Sequence, residues 1–285
     1  MNRKDALRLL AASLAMPTVA SSMGTSENLN LFGGRIRQSV CRWCFQDIPL
    51  PELAAASKDI GLQSVELLGP DEWQVVLDAG LTCAIAYGND HGLTRGFNDP
   101  SLHSSLMEQY AKNIPKAADA GLTQIICFPG NRRGMDDQTG LENCARGLDP
   151  VIKIAEKHNI VISMELMNSK INHPDYMADS TAWGVALVDK IGSPNFKLLY
   201  DIYHMQIQEG NVIATIRQYS DYISHYHTAG VPGRHEIDES QELNYPAIMN
   251  AIAETGYAGF VGQEFIPARP DKMASLAQAQ KICDV

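Results

Sequence analysis

Several things are scarce in this 285-residue sequence, and each absence removes a class of function. No run of Lys or Arg forms a basic stripe, and 33 acidic against 23 basic side chains leave a formal net charge of −10. A polyanion would meet repulsion at long range, so no nucleic-acid partner is expected. After the first two dozen residues, no stretch approaches the ~18 apolar residues of a membrane span. No Gly-rich phosphate loop follows the first strand-like run, which argues against an open doubly wound sheet. Cysteine is sparse: Cys41, Cys44, Cys83, Cys127, Cys144 and Cys283, several of them inside apolar runs, read as buried free thiols. Cys41 and Cys44 form a CxxC, but in a strand-like run positions i and i+3 face opposite ways and cannot share an ion.

What is present is an ordinary globular composition. Hydrophobic residues make up 45% and charged residues 20%, enough for a sizeable core and too apolar for disorder. The start of the chain stands apart. Arg3, Lys4 and Arg8 precede a short apolar run from Leu9 to Met16, and Thr18-Val19-Ala20 then offers small residues. This order predicts an export signal over residues 1–24, and with it a periplasmic or otherwise exported protein. An N-terminal helix that stays attached, in a cytoplasmic protein, is the alternative.

From residue 38 to 285 short apolar runs alternate with helical patterns. The expected strands are Ser39–Phe45, Ser64–Leu68, Thr82–Tyr87, Gln124–Phe128, Val161–Leu166, Lys197–Tyr200, Ile223–His227 and Gly259–Phe265. Most are near-continuously apolar, as parallel strands buried on both faces must be. Expected helices between them end at Gly or Asn, among them Leu53–Ile60 before Gly61, Leu102–Ala120 before Gly121 with a kink at Pro115, and Leu148–His158 before Asn159. The fragment helix–Gly–apolar run recurs as DIGLQSVEL, DAGLTCAIA, DAGLTQIIC and ETGYAGFVG. Eight such units in one domain predict an α/β fold, a single (β/α)8 TIM barrel.

The later strands end in ionisable groups: Glu165 in VISMELMN, Asp201 and then His204 in KLLYDIYH, His225 and His227 in ISHYHTAG, and Glu264 in FVGQEF. In a barrel these C-terminal ends converge on one face. Burying several carboxylates together costs too much unless a cation compensates. Glu165, Asp201, His227 and Glu264 therefore form a candidate site for one divalent metal ion (Mn, Mg, Co or Zn). His225 and His227 are expected to face opposite ways, with His227 as the ligand.

YDIYHMQIQEG (200–210), PGRHE (232–236), ELNYPAIMNAI (242–252) and GYAGFVGQEF (256–265) resemble the hydroxypyruvate isomerase branch of the xylose isomerase-like sugar isomerases and epimerases. SVCRWCF and GLQSVELLGP fit the same branch more loosely. The resemblance runs from about residue 38 to the C-terminus. It implies a xylose isomerase-like TIM barrel with metal ligands at Glu165, Asp201, His227 and Glu264, and substrate contacts at His204 and Arg234. It also implies a small sugar or keto-acid substrate and a homo-oligomer, since relatives often pair or tetramerise. Two departures loosen the substrate assignment. Hydroxypyruvate isomerases commonly carry Gln where His227 stands, whereas ketose 3-epimerases carry His; and the loops GNDHG, PGNRRG and MNSKINHPDY do not follow the expected pattern.

The chemistry expected of such a site is proton transfer through a metal-stabilised enediolate, with Glu165 and Glu264 as base and acid. His204 would polarise a substrate oxygen and Arg234 would hold a distal oxygen or carboxylate. Lys170 and His173, on the loop after strand five, are the preferred further contacts, ahead of the loop residues Asp47, His91, Asn131, Arg132 and Arg133. Isomerisation of a sugar or keto acid, epimerisation of a ketose or keto-sugar, and elimination by a lyase or dehydratase acting on a keto-glycoside or inosose all suit the same groups. An apurinic-site endonuclease is disfavoured by the acidic charge. An exported sugar-binding barrel without turnover is the non-enzymatic alternative.

Overall fold

The computed structural model describes residues 34–285; the expected export signal lies outside the described residues. Eight short apolar runs become parallel strands. They are β1 (Arg37–Cys41), β2 (Ser64–Glu66), β3 (Ala86–Tyr87), β4 (Gln124–Cys127), β5 (Val161–Leu166), β6 (Phe196–Asp201), β7 (Ile223–Thr228) and β8 (Phe260–Gln263). Their order is β2-β1-β8-β7-β6-β5-β4-β3. The remaining seam is closed by backbone bonds: Thr82 N to Gln63 O (3.0 Å), Leu67 N to Ile85 O (2.8 Å) and Tyr87 N to Leu68 O (3.1 Å). Strand residues are almost all buried because the barrel core covers one face and the helices cover the other.

The helices are α1 (Leu50–Ile60), α2 (Trp73–Asp78), α3 (His103–Asp119), α4 (Asp137–His158), α5 (Thr181–Ile191), α6 (Ile202–Gln208), α7 (Val212–Tyr219), α8 (Tyr245–Glu254) and α9 (Lys272–Cys283). Punctuation read in the sequence acts here as geometry. Gly61, at φ 99°, closes α1 in the left-handed region, where its N–H bonds the Ser57 and Lys58 carbonyls. Among the described residues, no helix is long and apolar enough to cross a membrane.

Two elements differ from expectation. β1 stops at Cys41, and Arg42–Phe45 winds into a 3-10 turn, so the CxxC spans a strand end and a turn rather than one strand. Both thiols, like the other four, are buried and free. α4 begins at Asp137, eleven residues before the expected Leu148. Gly140, Gly147 and Pro150 lower its intrinsic helix propensity. Packing overrides that: a Cβ at Gly147 would run into the His103 ring of α3, and one at Gly140 into Met177. Pro115 sits inside α3, which continues past it to Asp119.

Candidate active site

Four strands in succession deliver the ionisable cluster. Glu165 lies in β5, Asp201 ends β6, His227 is next to last in β7, and Glu264 follows β8. Ladder register puts Asp201 beside His227 and His227 beside Gly262, so the side chains meet at one level of the barrel mouth. One donor atom from each of the four lies within 4.8 Å of the others, and all four residues are buried.

His227 is the pivot. Its Nδ1 is 2.9 Å from Glu264 Oε2 and 3.3 Å from Glu165 Oε1, yet Nδ1 and Glu165 Oε1 have no aligned hydrogen-bond partner. Its Nε2 is 2.8 Å from Glu66 Oε1. An ionised carboxylate only accepts, so Nε2 carries a proton and Nδ1 is the atom turned toward the carboxylates. Glu66, fully buried in β2, was not singled out by the sequence. Its partners stand 159 and 161 residues away, and the only local hint was an acidic residue inside a buried strand. Burial would raise its pKa, but the His225 and His227 rings hold it well below the usual carboxylate range.

The expectation that His225 and His227 face opposite ways is overturned. Residues two apart on a strand share a face, and His225 Nε2 lies 2.9 Å from the same Glu66 oxygen. Gly262 makes room for this group: a Cβ there would collide with Glu66 Oε1 and press on the His227 ring. Cys41 adds its thiol, 3.4 Å from Glu66 Oε1.

Electrostatics separate the three carboxylates. Burial and the charge of Glu264 raise Glu165. Burial raises Asp201 well above its ordinary value, Arg234 only partly opposing it. Burial would raise Glu264 too, but His227 and Arg234 outweigh that and hold it well below. Burial opposes charge on the His227 ring; Cys41, Glu264 and Glu165 prevail and raise it. Thus the chain alone balances the cluster with protons and Arg234. A divalent cation held here would supply the charge needed for all three carboxylates to ionise and for His227 Nδ1 to offer a lone pair. Three oxygens and one imidazole nitrogen, with two donor atoms lacking hydrogen bonds, fit such an ion.

Arg234 sits in the loop after β7 with φ 62°, a left-handed conformation costing a non-glycine residue about 1–2 kcal/mol. Its Nη2 donates to Glu264 Oε2 at 2.6 Å, and its guanidinium lies 5.0 Å from the Trp43 ring centroid and 5.3 Å from that of Tyr203. Trp43 Nε1 donates to the other Glu264 oxygen at 2.8 Å. His204 is fully buried; burial and Arg234 hold its pKa well below the usual value, so the ring is neutral. A neutral imidazole has one N–H. Both His204 nitrogens face donors, Asn168 Nδ2 at 2.6 Å and Arg234 Nη1 at 3.1 Å. The Asn168 carbonyl already accepts from Ile171 N and Asn172 N, so its orientation is fixed. One of the two contacts is therefore always donor to donor.

Above the cluster lies a chamber of about 310 Å³, walled by Trp43, Leu67, Tyr87, Leu93, Phe128 and Met167. Of the four cluster residues only Glu165 and Glu264 line it, together with Arg234 and His173. His204 stands behind them, its ring 5.2 Å from that of His173. Lys170 is not brought to the chamber. It is exposed and donates to the Gln208 carbonyl at the end of α6, a site cations favour because helix C-terminal carbonyls lack partners. Other loop residues are engaged elsewhere: Asp47 with Lys272, His91 with Ser105, Arg132 with Asp137 and Asp179, Arg133 with Asp99. Asn131 bridges to Tyr176.

Known proteins place this barrel. Residues 54–282 match the family described as the xylose isomerase-like TIM barrel. A putative hydroxypyruvate isomerase of Homo sapiens is 34% identical over 131 residues, so that alignment spans only about half of each chain (46% and 47%). A 2-oxo-tetronate isomerase of Cupriavidus necator is 31% identical over 233 residues, 76% of this chain and 87% of that protein. Among solved structures, an AP endonuclease, family 2, of Brucella melitensis superposes with TM-score 0.78 at 24% identity, covering 85% of this chain and 98% of that one. A 3-keto-D-glucoside 4-epimerase of E. coli gives 0.72 at 19%, covering 86% and 99%. At these identities the two structures attest the fold alone. The match over 229 residues, on a barrel of this strand order, makes the chain a member of the xylose isomerase-like TIM barrel family.

Proposed function

We propose that this protein is a divalent-metal-dependent isomerase that moves a proton next to the carbonyl of a small hydroxy-keto acid or ketose. The observation that carries the reading is the convergence of Glu165, Asp201, His227 and Glu264 within 4.8 Å, with only the two glutamates open to the chamber. Similarity to hydroxypyruvate and 2-oxo-tetronate isomerases supports the same class of chemistry.

The four residues would hold the ion. Such an ion would supply Lewis-acid stabilisation of the negative charge that develops on substrate oxygen as a proton leaves the adjacent carbon. Everything else is done by side chains. One glutamate takes the proton from the substrate carbon and the other returns one, each in reach because each lines the chamber. Delivery to the same carbon gives an epimer; delivery to the neighbouring carbon gives an aldose–ketose isomer. Arg234 donates to a substrate oxygen or carboxylate. If that oxygen also accepts from His204 Nε2–H, it removes the donor-to-donor contact between the two residues. Trp43, Leu93 and Phe128 exclude water from the reacting carbon.

The test is solvent exchange. Protein stripped of metal and reloaded with Mn²⁺ or Co²⁺ is incubated in D₂O with a panel of hydroxy-keto acids, ketoses and aldoses. Deuterium entering next to the carbonyl, dependent on metal, is expected for at least one compound. A metal-loaded protein that exchanges none of them overturns the proposal.

A further inference from the structure

The two ring nitrogens of His204 are held by different residues, and the two contacts are not equivalent. Asn168, fully buried just past β5, accepts the Ile171 and Asn172 N–H groups with its Oδ1, each at 3.0 Å. A backbone N–H only donates, so that atom is the amide oxygen and the other is the amide nitrogen. This Nδ2 lies 2.8 Å from Asn172 Oδ1 and 2.6 Å from His204 Nδ1. An amide nitrogen accepts no hydrogen bond, so His204 Nδ1 is the acceptor and carries no proton. The single proton of the neutral ring is therefore on Nε2.

That proton faces charge. Nε2 is 3.1 Å from Arg234 Nη1, which only donates, and 3.6 Å from Asp201 Oδ2, beyond hydrogen-bond length. The donor-to-donor contact is thus the one with Arg234, a residue that lines the chamber; the contact with Asn168 is satisfied. The other tautomer would let Nε2 accept from Arg234, and the Asn168 amide stands against it.

We infer that Asn168 is a positioning residue: it keeps the proton of His204 on Nε2, so that His204 and Arg234 present two N–H groups to one acceptor oxygen of the substrate. This rests on the isomerase reading for the oxygen and deepens it. A protonated Nε2 cannot take a proton from the substrate, which leaves that task to Glu165 and Glu264. Two donors set side by side without a partner are ready for negative charge that grows on one oxygen during reaction, so their effect falls chiefly on kcat.

Asn168→Asp separates the two tasks of this side chain. A carboxylate still accepts from Ile171 N and Asn172 N, but it also accepts where the amide donated. Asn172 can turn its own amide to meet it, since among the described residues the end of its side chain bonds only Asn168 and the Tyr203 hydroxyl, and a hydroxyl serves as donor or acceptor. His204 is then driven to carry its proton on Nδ1, and Nε2 accepts from Arg234 Nη1. The variant loses a donor to the substrate and gains a bond inside the protein.

The first measurement needs no turnover. Protein with ¹⁵N-labelled histidine, loaded with Mg²⁺, is compared with Asn168→Asp by two-bond ¹H–¹⁵N spectra above the pH range in which histidine titrates. The His204 signals are identified by their loss in His204→Gln. A proton on Nε2 in the wild type and on Nδ1 in Asn168→Asp is expected. A wild-type proton on Nδ1, or the same pattern in both proteins, overturns the inference. Second, kcat for deuterium exchange in Asn168→Asp is expected to fall about 10²-fold, as for other lost donors to a developing oxyanion, while its thermal midpoint stays at or above that of the wild type. Asn168→Ala, which also strips the acceptor from Ile171 N and Asn172 N, is expected to lower the midpoint. A wild-type kcat in Asn168→Asp, or a midpoint that falls as far as in Asn168→Ala, means that Asn168 only holds its loop and overturns the inference. If no compound exchanges with the wild type, the isomerase reading fails, and the spectra still decide where the proton sits.

Discussion

The two halves of the barrel are built differently. β5 to β7 have six residues each and form long ladders, with Glu165, Asp201 and His227 fixed in consecutive register and Glu264 just past β8. β2 and β3 have three and two residues, and their seam is held by separate backbone bonds rather than a continuous ladder. The well-paired half carries the four clustered ionisable groups of the barrel mouth. The loosely paired half carries most of the aromatic and aliphatic walls of the chamber. Electrostatic catalysis needs donors fixed to within a fraction of an ångström, which long parallel strands provide. Substrate choice needs space and variable side chains, which short strands and long loops provide. Glu66 is the exception that joins them: it belongs to β2, yet sets the His227 proton from across the barrel.

The largest effect is expected in the charged half. Glu165→Gln and Glu264→Gln, made separately, should each lower the rate of substrate-proton exchange by about 10²–10⁴-fold, the usual range for losing a general acid or base. Exchange at the wild-type rate in either variant would remove that glutamate from proton transfer. It would also break the division of labour between the halves.

Glu66→Gln tests the crossing point. An amide can present N–H as well as carbonyl to His227 Nε2, so it no longer dictates which ring nitrogen carries the proton. Metal affinity should fall about 10–100-fold, as for other groups that orient a ligating histidine. Titration with Co²⁺, followed by its visible spectrum, measures this. Unchanged affinity with unchanged spectrum would show that Glu66 only fills space.

The smallest effect is expected in the walls. Leu93→Ala removes a partly buried side chain that lines the chamber and is not one of the clustered ionisable groups. KM should rise a few-fold while Co²⁺ affinity stays the same. A drop in metal affinity comparable to that of Glu66→Gln would mean that the two halves are not separable.

Much of this was legible because it is local. A helix, a left-handed Gly and an apolar run make one βα unit, and the repetition of that unit predicts a barrel without long-range information. Asp201 and Glu264 stood out because each interrupts apolar sequence at a strand end. The N-terminal half of α4 was hidden, since Gly140, Gly147 and Pro150 are read as breakers unless the helix they pack against is known. Lys170 was placed by its neighbourhood in sequence; its side chain turns instead to the end of α6.

By itself the sequence determined the period of the fold and the residue types that would crowd the barrel mouth, because both follow from hydrophobic pattern and from the position of charge along each strand. Only the tertiary structure decided how those groups divide the work. It turned His225 and His227 to one face and joined both to Glu66. It left Glu165 and Glu264 open to the chamber and kept Asp201 out of its lining. Each outcome depends on groups from different strands meeting at the barrel mouth, 159 and 161 residues apart in the case of Glu66, and one strand's pattern carries no information about what the opposite strand brings to the axis.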